Sequence, residues 1–87
     1  MKLMNRNIDM IATFRVGEAP EPHKFRIEDQ YRNVHIIRIN KVLSVKKETV
    51  TGNPVWDYTC RGMFGDQERV FVIRFNVPHA RWELLKM

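Results

Sequence analysis

The sequence predicts an all-β protein, a single small antiparallel barrel or strongly curled sheet of about six strands, and three observations lead there. Apolar residues recur at every second position in nearly every segment, the mark of half-buried strands. Turn-forming clusters fall at residues 17–22, 28–33, 51–54, 65–66 and 76–80, leaving short runs between them. No segment carries a convincing long helical pattern, and 87 residues with 44% hydrophobic content suit one compact core, near the lower limit for a domain without staples. The chain therefore reads as one small β domain over residues 1–87.

Taken in order, residues 8–16 form the first strand, with Ile8, Met10, Ala12, Phe14 and Val16 on one face and Asp9, Thr13 and Arg15 on the other. "GEAPEP", residues 17–22, cannot continue a ladder, because two prolines lack donors and Gly17 frees the backbone. In "HKFRIED" Phe25 and Ile27 point inward and Lys24, Arg26 and Glu28 outward, and "EDQYRN" supplies the next turn. Residues 34–50 are long for one strand. A phase shift at Ile36-Ile37 predicts a bulge or sharp bend, with Ile37, Ile39, Leu43 and Val45 on one side and Arg38, Asn40, Ser44 and Lys46 on the other. Ile36, Ile39 and Leu43 also suit helical spacing, but the Val and Ile content favours a strand.

"TGNP", residues 51–54, is a turn, after which Trp56, Tyr58 and Cys60 alternate with Asp57, Thr59 and Arg61. Gly65-Asp66 closes a hairpin into "RVFVIRFNVPHARWELLKM", where Phe71, Ile73 and Phe75 face inward and Val70, Val72 and Arg74 outward. A proline turn then leads to a last strand with Trp82 and Leu84 inward. In an open sheet Val70 and Val72 would be an exposed liability, which barrel closure or a homodimer contact would cover.

Cys60 is the only cysteine, so no intramolecular disulfide and no cysteine-based zinc site can form, and a reducing cytoplasm fits best. The opening "MKLMNRNIDM" lacks the apolar run of a signal peptide, and nowhere do about 18 consecutive apolar residues occur, so no membrane span is expected. His23, His35 and His79 lie in separate segments without ligand spacing. Ser44 has no nucleophile elbow, Cys60 reads as a small core residue, and the glycines read as single turn residues rather than a phosphate loop. The carboxylates sit beside turns or beside Arg and Lys. No enzyme, cofactor or metal site is expected.

A net charge of +5 and a pI near 9.8 favour an anionic partner, nucleic acid or an acidic protein surface. The candidate residues are Lys24, Arg26, Arg38, Lys46, Lys47, Arg61 and Arg74, all read as outward on their strands, which a curled sheet could gather into one groove; the same residues also suit a merely solvated surface. Tyr31 is the only aromatic that alternation leaves plainly outside, so a base-stacking platform is missing and contacts would go to phosphates. Trp56 and Trp82 read as core.

"PHKFRIED", "INKVLS", "TGNPVWDYTC", "RVFVIRF" and "RWELLKM" together resemble a group of short, uncharacterised proteins of Firmicute bacteria. In these a Pro-x-x-Phe-Arg strand, an Ile-x-x-Val step, a Gly-Asn turn, an aromatic strand ending in Cys and a closing Trp-x-Leu-x-Lys recur in that order. The similarity covers about residues 8–87 and falls on Pro22, Phe25, Arg26, Ile39, Val42, Gly52, Asn53, Cys60, Phe75, Trp82, Leu84 and Lys86. It departs at "FVIRF", where those proteins carry a Glu-Leu-Lys-Tyr-like strand. A fainter likeness reaches small domains found beside DNA-repair polymerases, which implies nucleic-acid association and gives no residue a role. The expected function is thus a non-enzymatic binding module for nucleic acid or another polyanion. The alternative, a protein-interaction or self-associating domain, would show itself by open edge strands, and a small-ligand barrel by a void between Trp56 and Trp82.

Overall fold

Two strands change partners midway, and that closes the barrel. In the computed structural model, which describes residues 1–87, six strands follow in chain order: β1 (Leu3–Thr13), β2 (Glu21–Glu28), β3 (Val34–Val50), β4 (Asn53–Phe64), β5 (Gln67–Asn76) and β6 (Arg81–Lys86). Each pairs antiparallel with the next, and β6 returns to β1. Residues 3–8 of β1 pair with β6 and residues 9–13 with β2, while β3 pairs with β2 over residues 34–38 and with β4 over residues 39–50. Extra residues interrupt the register between Leu3 and Arg6 in β1, at His23 in β2 where Ile11 and Ala12 pair with Lys24 and Pro22, and at Asn40 and Leu43 in β3. Such bulges bend a strand and sharpen its twist, so β1 and β3 act as the corners where the sheet folds onto itself.

The interior is filled from every strand by Ile8, Phe25, Ile37, Tyr58, Cys60, Phe71, Ile73, Phe75, Trp82 and Leu84. Trp82 lies 4.7 Å from Phe75 and 5.5 Å from Tyr58 between ring centroids, and Phe71 meets Phe25 edge-on at 5.7 Å. Trp82 therefore fills the barrel. The buried Tyr58 hydroxyl donates to the Pro20 carbonyl at 2.5 Å, which ties the loop between β1 and β2 to the barrel end. Thr51 and Gly52 both take positive φ, 50° and 81°, as a two-residue type I′ hairpin requires.

The all-β barrel is as the sequence predicts, but four local expectations are corrected. The first strand starts earlier and ends at Thr13, so Phe14 and Val16 leave the ladder; Phe14 is 65% exposed and meets the core residue Phe75 edge-on at 5.7 Å. The bulges of β3 lie at Asn40 and Leu43 rather than at Ile36-Ile37, which turns Val42 inward in place of Leu43. Val45 keeps the inner register, opposite Tyr58, yet remains exposed, and Trp56 is only half buried with the Lys47 ammonium 5.7 Å over its ring. Gly62 is no turn residue. It sits inside β4 where a Cβ would stand 2.6 Å from the Arg38 carbonyl oxygen and 3.1 Å from the Phe71 ring, so glycine there lets β3 cross close at the corner. Leu85, the extra residue of a register shift between β5 and β6, is buried beside the inward Leu84.

Candidate anion-binding surface

Alternation tells which way a basic side chain points; the register tells what it meets. Arg74 is directly opposite Asp57 on β4 and holds it in a two-bond fork, Nε to Oδ1 at 2.7 Å and Nη2 to Oδ2 at 2.9 Å, with both side chains about one-fifth exposed. Lys46 lies opposite Asp57 on the other side and Glu83 opposite Arg74, so one row across β3, β4, β5 and β6 alternates in sign. Asp57, with Glu83 and Glu48 behind it, raises the Arg74 pKa further. Arg26 faces Asp9 and binds it at 2.7 Å, Lys46 reaches Glu48 at 3.2 Å, and Arg61 reaches Glu68 at 3.6 Å. Lys47 is not outward: it holds the inner register opposite Trp56.

Lys24 and Arg38 differ from the four paired cations and, unlike Lys47, lie on the outer face. They are direct cross-strand partners on the outer face of β2 and β3, and neither has a carboxylate within ion-pair distance. Lys41, likewise unpaired, faces Arg61 across β3 and β4. Alternation from Arg38 would point Lys41 inward; the bulge at Asn40 reverses it, which is why sequence reading passed over it. A cleft of about 330 Å³ adjoins Lys24 and Arg26, floored by Met10, Ile11, Phe25 and Ile36. The seven candidates thus do not form one uniform patch. Two of them, joined by Lys41, make a ridge of uncompensated charge; Arg26, Lys46, Arg61 and Arg74 are paired with carboxylates, and Lys47 lies over Trp56.

Besides Tyr31, at 77% exposure in the turn between β2 and β3, Phe14 is also a solvent-facing aromatic, and neither belongs to this ridge. The three histidines stay apart. His23 shares a hydrogen bond with Thr13 Oγ1 at 2.6 Å, His35 meets Asp29 Oδ2 at 2.9 Å, and His79 sits in the turn before β6. The bond from His35, helped by the backbone N–H groups of Asn33 and Tyr31, holds the Asp29 carboxyl at about 2. Cys60 is fully buried, and burial pushes its thiol up to about 12, so no thiolate is presented to solvent. No three His, Cys, Asp or Glu side chains gather as metal ligands would.

Comparison with protein-family models, with curated proteins and with solved structures finds no match to this chain.

Proposed function

We propose that the protein is a non-enzymatic binding module that holds the backbone of nucleic acid, or a polyanion of like charge density, on the ridge of Lys24, Arg38 and Lys41. The observation that carries this is the direct opposition of Lys24 and Arg38 with no carboxylate within ion-pair distance of either. Like charges facing each other across a sheet destabilise it, and a bound phosphate offsets that repulsion. Arg26 and Arg61 flank the ridge through exposed pairs that solvent already weakens and a phosphate can share. Contacts of this kind position a backbone and read no bases. A single buried thiol suits a reducing cytoplasm, and no helix is long and apolar enough to cross a membrane.

Fluorescence anisotropy against single- and double-stranded DNA and RNA tests this. Affinity should fall with salt at a log-log slope of about two to three, from about 0.9 per phosphate on duplex or about 0.7 on single strands. Lys24→Glu with Arg38→Glu should remove binding for all sequences alike. The charge-matched pair Arg81→Glu with Lys86→Glu, exposed on β6, should leave most of it. No binding at about 50 mM salt, or equal loss in both double variants, would overturn the assignment.

A further inference from the structure

Beyond its corner, β3 has a neighbour on one side only. Its pairing with β2 ends at Arg38 while its pairing with β4 continues to Val50, and none of the backbone hydrogen bonds formed outside the strands reaches residues 39–50. Bulges interrupt the first part of this edge. From Ser44 to Val50 the register with β4 is unbroken, so seven residues present a regular unpaired edge. In an antiparallel ladder every second residue directs its N–H and C=O away from the existing partner, and an edge with such a free row is a template for another strand. At the start of this edge Val42 and Val45 face the loop between β1 and β2 across a cleft of about 580 Å³ that Arg15, Glu18 and Pro20 also line.

The side chains select what that strand can be. Set antiparallel against its own copy about a twofold axis at Lys47, "SVKKETV" places Ser44 opposite Val50, Val45 opposite Thr49, and Lys46 opposite Glu48 on both sides of the axis. Opposite charges and β-branched pairs are the cross-strand combinations that stabilise a sheet. Lys46 and Glu48 share one face and already lie 3.2 Å apart within a chain, so both are oriented to exchange partners. Lys47, which meets its copy on the axis, carries its ammonium over Trp56 on β4, away from the edge. Moving the axis to position 46 sets lysine against lysine, and moving it to position 48 sets glutamate against glutamate. Lysines on an edge discourage unselected strands, and here Glu48 makes the chain's own copy the exception.

We infer that the protein forms a homodimer by antiparallel pairing of residues 44–50 of β3 across a twofold axis at Lys47. The interface is isologous and small, so the dimer is weak and concentration-dependent. It is independent of the ridge at Lys24 and Arg38.

Light scattering and sedimentation from about 1 μM to about 1 mM, the range over which weak association is populated, should show the parent passing from monomer to dimer. Lys46→Glu sets carboxylate against carboxylate at both pairs and Glu48→Lys sets ammonium against ammonium, so each variant alone should stay monomeric. Mixed in equal amounts the two should form a heterodimer, and the combined variant K46E/E48K should dimerise again. A folding defect would not be repaired by mixing, and circular dichroism melts monitor it separately. Amides of residues 44–50 should exchange more slowly as concentration rises. A parent that stays monomeric throughout, a dimer indifferent to either charge reversal, or single variants that fail to associate when mixed would each overturn the proposal.

Discussion

On the outer wall of β4, β5 and β6, Arg74 is locked to Asp57 within a row of alternating charge; on the outer wall of β2 and β3, Arg38 faces Lys24 with nothing to neutralise either. Both arginines sit on outward strand positions flanked by apolar residues, and composition treats them alike. Cross-strand register separates them. Of these two, the arginine whose opposite residue is an acid serves the barrel, and the one whose opposite residue is another cation is left available to a ligand. The net charge of +5 counts the excess but does not place it, and four of the seven candidate cations are compensated where they stand.

The compensated wall is also where the barrel closes, so the largest effect belongs there. Trp82 is buried against Phe75 and Tyr58 on the strand that returns to β1. Trp82→Ala should cost about 3 to 5 kcal/mol, a large part of the stability of a domain this small. Urea denaturation followed by far-ultraviolet circular dichroism checks this. An unchanged midpoint would mean that β6 does not close the core.

A smaller effect puts the two arginines side by side. Arg74→Ala leaves the Asp57 carboxylate mostly enclosed and unpaired, which should cost about 1 to 3 kcal/mol. Arg38→Ala removes one of two opposed like charges and should change stability by no more than about 0.5 kcal/mol, in either direction. Equal losses at both positions would erase the distinction between the walls. A difference in the expected order, accompanied by weaker nucleic-acid binding for Arg38→Ala alone, would sharpen it.

Period-two alternation carried most of the fold, because Phe25, Ile37, Phe71, Ile73, Phe75, Trp82 and Leu84 are all inward as read, and the turns at residues 51–52 and 65–66 follow from glycine at positive φ. It failed where one extra residue resets the phase. Asn40 and Leu43 in β3 and Leu85 in β6 are such residues, and nothing in their side chains announces a bulge. It also failed at Phe14 and Val16, where apolar alternation outruns the ladder, and at Gly62, whose reason is the carbonyl of a strand distant in sequence. The candidate surface was half legible for the same cause. That Lys24, Arg26, Arg38 and Arg74 point outward can be read locally, but that Arg26 meets Asp9 while Lys24 meets Arg38 depends on a register that only the assembled barrel defines.

The smallest expected effect lies at the far end of the less compensated wall, where one carboxylate adds to the backbone bonds Asp29 N–H to Asn33 O and Arg32 N–H to Asp29 O in the turn from β2 to β3. Asp29 accepts from the backbone N–H groups of Tyr31 and Asn33 and meets His35 across the turn, while Arg32 beside it takes a positive φ of 66°. These bonds favour the charged form and hold the Asp29 carboxyl at about 2, below the usual carboxylate range. Since the folded pKa is the lower one, the contribution is fully present above the unfolded value of about 4 and is lost as pH falls toward about 2. The parent should therefore melt above Asp29→Asn at neutral pH, by a small margin because the group is solvent-accessible. That margin should close between pH of about 4 and about 2, where the folded carboxyl takes up its proton. Taking the difference between parent and variant cancels the other carboxylates that titrate in the same window. A margin that persists unchanged to the acid limit would show that asparagine fails in the turn for reasons of shape, and that the charge on Asp29 does not hold β2 and β3 together at their tip.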